Sequence, residues 1–242
     1  MRLVLLHGFT QSPAVWDRVR VHLLGGADAG GVEVVTPEVP DGLGFAATAQ
    51  AVVESAGEAV YCGYSMGGRL CLRGALDRPD LVRGLVLVSA TPGIADDAER
   101  AARARHDDEL ASEARTAGVK AFLRRWLAQP LFSTLEAGDD EVARRAQSTN
   151  IDRLVHQLRV LGQGRQAPLW DRLHELDVPV TVVTGRNDLK YDAIGDAMAE
   201  VIPGCTRARL RGGHAIPLEQ PEALAVVLLD VVRRVATHGR TP

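Results

Sequence analysis

The stretch EAVYCGYSMGGRLCLRGAL, residues 58–76, runs from an apolar segment through closely spaced glycines into a helix-forming segment, with Ser65 at the crossing. The run before the serine has the β-branched and aromatic content of a buried strand, and the run after it repeats leucine at helical spacing. A side chain held at so sharp a strand-to-helix turn sits in strained backbone. There the two elements approach so closely that the positions two before and two after it must be small. Gly63 and Gly67 occupy those positions. The pattern therefore reads as a device that presents a hydroxyl, rather than as a glycine turn that happens to hold a serine.

Outward from that junction, short apolar runs recur between turn residues at 2–8, 31–37, 58–65, 82–93, 177–188 and 205–214. Most are continuously apolar, as strands buried on both faces of a parallel sheet require. Helical stretches alternate with them at 13–26 behind Ser12 as N-cap, at 47–57, at 67–79 and at 221–239, with Pro221 suited to a first turn. The class is α/β, with a mostly parallel sheet of about six strands flanked by helices. From 92 to 170 the alternation gives way to charged helix formers, which reads as a helical lid inserted after the fourth predicted strand. The core is then 1–91 and 171–242, a single domain.

A formal net charge of −3 over 242 residues gives no basis for a nucleic-acid or membrane-surface partner, and the partner expected is a small molecule. Cys62, Cys71 and Cys205 have neither metal-ligand spacing nor an even count, which fits a reducing, cytoplasmic setting and predicts no metal site. The opening MRLVLLHGF holds an apolar run far short of the roughly 20 residues of a spanning helix. Oligomeric state is not legible.

A serine hydroxyl needs a histidine to take its proton, and the histidine needs a carboxylate to fix its tautomer. The last two predicted strands end in TGRNDLKYD and RLRGGHAIP, which supply Asp188 and His214 in the chain order serine, acid, histidine. Asp192 falls further into the following helix, Asp177 lies at the wrong end of its strand, and His238 belongs to the C-terminal tail. The backbone N–H groups of Met66 and Phe9 are the expected oxyanion-hole donors. His7 reads as a brace of its loop, since the role of base is already filled. These features are those of the α/β-hydrolase fold.

The chain also resembles the 2-succinyl-6-hydroxy-2,4-cyclohexadiene-1-carboxylate synthase family of menaquinone biosynthesis, a branch of that fold. The resemblance rests on LHGF (6–9), GYSMGGR (63–69), SATPGI followed by ER and Arg103, FLRRWLAQPLF (122–132), LRVLGQGRQAPLW (158–170), GRNDLKY (185–191) and GGHAIPLEQP (212–221). It implies a lyase without cofactor or metal. In that reaction Ser65, made basic by His214 and Asp188, takes a proton from an anionic cyclohexene and pyruvate is eliminated. Such a substrate needs cations, and Arg matches a carboxylate bidentately. Arg103 falls at the family's lid arginine and Arg69 opens the helix behind the serine, whereas Arg100 and Arg105 read as solvated. Tyr64 and Trp126 are pocket-wall candidates, Trp126 equally a core residue; Lys190 reaches an anion or covers surface. The sequence departs from the family at Leu127, at EVPDGLGF (38–45), and at Arg165 and Ala167. A serine carboxylesterase or other acyl hydrolase would use the same triad, and a non-catalytic ligand-binding protein would keep only the fold.

Overall fold

The computed structural model of the chain describes residues 1–25, 31–135 and 138–238. Its sheet has six strands, β1 (Arg2–Leu6), β2 (Glu33–Val35), β3 (Ala59–Tyr64), β4 (Val82–Val88), β5 (Val180–Gly185) and β6 (Thr206–Leu210), all parallel in the order β2-β1-β3-β4-β5-β6. The order reverses direction next to β1, and the carboxyl ends of the strands open there onto one edge, where ligands of open α/β sheets bind. Helices α1 (Asp17–Gly25) and α10 (Pro221–His238) cover one face; α2 (Phe45–Ala56), α3 (Met66–Asp77) and α8 (Leu189–Val201) cover the other. Leu85 and Leu87 of β4 point to one layer and Val86 and Val88 to the other, all fully buried. Each such side chain contributes about 1.5–3 kcal/mol by leaving water.

The six expected strands form, but shorter than their apolar runs. The 31–37 run yields three paired residues, and 82–93 stops at Val88, where Ser89 turns to positive φ. The 205–214 run pairs only over Thr206–Leu210; its TRARL alternation belongs to an edge strand with one solvated side. Helix 13–26 divides into a 3-10 turn over Pro13–Trp16 followed by α1, with Gly26 outside the described residues. Ser12 occupies the cap position, buried, yet its side chain makes no cap hydrogen bond. Helix 47–57 begins two residues early at Phe45, and residue 239 of the last predicted helix lies outside the described residues.

Between β4 and β5 the chain forms α4 (Asp97–Ala117), α5 (Val119–Leu127), α6 (Asp139–Gln147) and α7 (Ile151–Arg159), with a 3-10 turn over Pro130–Phe132 between α5 and α6, two more after α7, and no strand among the described residues. Asp96 caps α4 by accepting from the Glu99 amide, and Asn150 caps α7 by accepting from Arg153. These helices bury a cluster of their own around Phe122, Leu123, Leu154 and Leu158, which reaches the body of the protein through Phe9 and Ala215. Among the described residues no helix is long and apolar enough to cross a membrane.

Candidate active site

Ser65 stands between β3 and α3 at φ 51° and ψ −108°, a backbone region that side chains avoid. The strain is held by its surroundings: its amide donates to Val88 O at 2.9 Å and its carbonyl accepts from Arg69 N at 3.1 Å. A Cβ on Gly63 would collide with the Gly67 peptide, and one on Gly67 with the carbonyl oxygens of Leu6 and His7. The two glycines are thus what lets the helix start against the ends of β1 and β3.

The acid and the histidine leave the ends of β5 and β6. The ladder continues past both strands, with Arg186 N donating to Leu210 O and Asn187 N to Gly212 O, each at 2.9 Å. Asp188 and His214, both buried, meet there with His214 Nδ1 at 2.6 Å from Asp188 Oδ2, while His214 Nε2 lies 3.2 Å from Ser65 Oγ. An ionised carboxylate only accepts, so Nδ1 carries the ring proton and Nε2 is left to accept from the serine hydroxyl. The second oxygen of Asp188 accepts from the Tyr191 amide at 3.4 Å, capping α8. Asp192, the alternative acid, is engaged elsewhere by Thr184, Arg207 and Arg209, and Asp177 is exposed.

Above the serine lies a cavity of about 280 Å³, whose walls include Phe9, Tyr64, Met66 and Trp126, with Lys190 also among its lining residues. Trp126 satisfies both of its readings: it lines the cavity and packs edge-on against Phe9 at 4.8 Å and beside Phe122 at 6.0 Å. Tyr64 is buried next to His214, and burial pushes its phenol well above the usual range, so it stays neutral. Lys190 is exposed, its ammonium 6.0 Å from the Tyr191 ring centroid.

Three guanidinium groups converge on the same space. Arg69, 5% exposed, donates to Gln166 Oε1 at 2.9 Å and to Leu161 O at 2.7 Å, with no carboxylate bonded to it among the described residues. Burial pushes its pKa down to about 10, so it remains a cation at neutral pH. Arg103 donates Nε to Asp107 Oδ1 at 2.8 Å and Nη1 to Gln163 Oε1 at 3.3 Å. Arg145, 1% exposed, donates Nε to Glu141 at 2.7 Å and Nη1 to Thr10 Oγ1 at 2.7 Å, and its Nη2 finds no acceptor among the described residues. Arg100 is not among the lining residues; it binds the Ile94 and Ala95 carbonyls and Asp97, and Arg105 is exposed.

Sequence reasoning passed over Arg145, Asp107, Tyr191 and the two glutamines. Arg145 follows the half-buried Arg144 in a run of charges, and only the helix orientation separates them. The glutamines lay within the quoted GQGRQ phrase: Gln163 holds Arg103 and donates to Tyr191 OH at 2.8 Å, and Gln166 holds Arg69. His7 is buried and not among the residues that line the cavity. Its Nδ1 lies 2.9 Å from Gly8 O and its Nε2 3.3 Å from the Val39 amide, tying the β1 loop to the chain after β2.

A six-stranded parallel sheet, a strained serine at a strand–helix elbow and a buried acid–histidine pair beyond the last strands define one fold. The alpha/beta hydrolase family model matches residues 3–227, and the chain belongs to that family. Within it, the chain is 34% identical over 174 residues to a Bacillus subtilis protein provisionally named as a 2-succinyl-6-hydroxy-2,4-cyclohexadiene-1-carboxylate synthase, covering 69% of this chain and 63% of that protein. It is 28% identical over 242 residues to the Klebsiella pneumoniae protein of that name, covering 95% of this chain and 93% of the relative. The solved structure of MenH from S. aureus superposes with a TM-score of 0.88 at 25% identity, covering 98% of this chain and 94% of that one. The chain thus spans less than two thirds of the Bacillus relative's length and nearly all of the other two.

Proposed function

We propose that the protein is a 2-succinyl-6-hydroxy-2,4-cyclohexadiene-1-carboxylate synthase-like lyase, with Ser65, His214 and Asp188 as its catalytic triad. The observation that carries the reading is the charge of the cavity beside the serine. Arg69, Arg103, Arg145 and Lys190 line it against one carboxylate, Asp107. Arg103 is already bonded to Asp107 and Arg145 to Glu141, but the buried Arg69 has only neutral acceptors among the described residues, and a neutral ester has no use for such a group, which costs several kcal/mol to desolvate. A polycarboxylate offsets that cost by pairing with it.

In this mechanism His214 Nε2 draws the hydroxyl proton, and Ser65 Oγ removes a proton from a ring carbon of the bound polyanion. The electron pair left on carbon moves into the ring, the bond between ring carbon and enolpyruvyl oxygen breaks, and the enolate of pyruvate leaves, taking back the proton passed to His214 to become pyruvate. Water is not consumed. The amides of Phe9 and Met66 stabilise the negative charge that develops on a substrate carbonyl oxygen; Met66 N–H is available because the first amides of a helix have no intrahelical acceptor. Arg69 and Arg103 bind carboxylates, Tyr64 and Trp126 wall the ring, and Lys190 guards the rim. The helices of 92–170 serve as the lid of a single domain. With free Cys62, Cys71 and Cys205, a reducing, cytoplasmic setting suits the enzyme.

The test is to offer the purified protein the succinyl-enolpyruvyl cyclohexene carboxylate and a short neutral aryl ester in parallel. A kcat/KM for pyruvate release at least about a hundredfold above that for the ester is expected. The reverse order would make the protein an acyl hydrolase using the same serine.

A further inference from the structure

Glu219 sits in the last turn of α9 (Ile216–Glu219), five residues after His214 and outside the acid–histidine–serine chain. Its carboxylate reaches back over that turn and accepts from the backbone on both sides of the histidine, Oε2 from Gly213 N at 2.8 Å and Oε1 from Ala215 N at 3.0 Å. The histidine's own peptide segment is thereby held by two charge-assisted hydrogen bonds from one rigid group. The rest of the loop leaves it little room. Gly212 stands at φ +101°, where a side chain would also meet the Glu219 carboxylate, and the Gly212 and Gly213 carbonyls press against Gly185 so closely that a Cβ there would collide with them.

We propose that Glu219 is a positioning residue for His214, fixing the peptide from which the imidazole projects so that Nε2 falls within reach of Ser65 Oγ. This role rests on the triad of the proposed function, though not on the identity of the substrate. Asp188 sets the tautomer and the rotation of the ring. Glu219 sets where the ring's backbone lies, a distinct degree of freedom that a single hydrogen bond to Nδ1 does not control. Misplacing a reacting group by about 1 Å costs on the order of a hundredfold in rate, so the clamp has kinetic consequence.

The experiment compares Glu219→Ala and Glu219→Gln with wild type, in the native and His214→Ala backgrounds. Thermal unfolding checks folding. Three readouts follow: the rate at which a fluorophosphonate labels Ser65, kcat and KM for pyruvate release, and the downfield proton resonance of the His214–Asp188 hydrogen bond. Folded Glu219→Ala is expected to label about a hundredfold more slowly, to lose kcat by a similar factor with KM within about twofold, and to broaden the downfield signal. Glu219→Gln, with one carbonyl for one amide, recovers part of each. In the His214→Ala background the glutamate change costs nothing further, since its effect runs through the ring.

A folded Glu219→Ala protein with wild-type labelling and resonance overturns the role, as does an equal loss in both backgrounds, which marks a merely structural contact. If the alanine variant does not fold, Glu219→Gln with wild-type labelling and signal overturns it just as well. Labelling that depends on Glu219 without any pyruvate release leaves this inference standing and removes only the lyase reading. Labelling indifferent to His214→Ala removes the triad and the role of Glu219 together.

Discussion

Asn187 donates its backbone N–H to the carbonyl of Gly212 at 2.9 Å, so the loop carrying Asp188 and the loop carrying His214 are bonded to each other before their side chains meet. The imidazole–carboxylate contact of 2.6 Å is thus the end of a continuous ladder rather than an encounter of two free loops. Asp188→Asn keeps the shape and an oxygen for the Tyr191 amide, but places an amide where Nδ1–H needs a carboxylate. It is expected to lower kcat by about three to four orders of magnitude with little change in Tm. Steady-state kinetics beside a melting curve check this; full activity would detach the acid from the chemistry.

Arg103 is held at Nε and Nη1 by Asp107 and Gln163. Arg103→Ala is expected to raise KM for the anionic cyclohexene substrate by about 10- to 100-fold, the loss of a charged hydrogen bond, while KM for a neutral aryl ester moves less than about twofold. Equal shifts for the two substrates would refute carboxylate binding.

The elbow makes its own demand. Gly63→Ala sets a methyl group against the Gly67 peptide, and neither backbone can yield without opening the turn. A loss of about 3 kcal/mol, a Tm drop of about 6–12 °C, is expected. Gly44→Ala, where nothing lies within 4 Å, is the control; it exchanges one N-cap of α2 for a poorer one and shifts stability by no more than about 1 kcal/mol. Similar melting curves for both variants would mean that the close approach at Gly63 is relieved in solution.

Asp192 ties β5, β6 and α8 together. Its burial would raise the carboxyl pKa, but the Thr184 hydroxyl and the guanidinium groups of Arg209 and Arg207 outweigh that and hold it below the usual carboxylate range. A carboxyl depressed on folding stabilises the protein above its unfolded pKa of about 3.9, and that stability is lost as pH falls through the lower folded value. The Tm gap between wild type and Asp192→Asn is therefore expected to be full at neutral pH and to close below about pH 4. A gap that persisted or widened in acid would reverse the sign and the argument.

The sheet was legible because burial on both faces leaves a run such as VRGLVLV without polar alternation, and the elbow because two glycines bracket one serine. Strand ends were less so, since VSATPG offers no charged residue after pairing has stopped and the positive φ of Ser89 marks the turn. The meeting of His214 with Asp188 and Ser65 could be anticipated because chain order and loop position single those residues out. The cations were harder. Arg144 and Arg145 are adjacent and identical in type, yet one is ion-paired near solvent and the other buried against Thr10. Arg69 could be read from its distance to Ser65, but its holding by Gln166, 97 residues away, is a property of the fold alone. Glu219 lay within a quoted phrase, and its bonds to the amides beside His214 appear only once the loop folds back on itself.

In the proposed reaction Ser65 acts as a base on a polyanion that loses pyruvate. Its most direct test is a single-turnover experiment, enzyme in excess over the succinyl-enolpyruvyl cyclohexene carboxylate, with pyruvate followed by a coupled reductase. Wild type is expected to release one pyruvate per substrate, and Ser65→Ala to slow that release by several orders of magnitude while still binding the substrate. No pyruvate from wild type, or the same rate from Ser65→Ala, would contradict it.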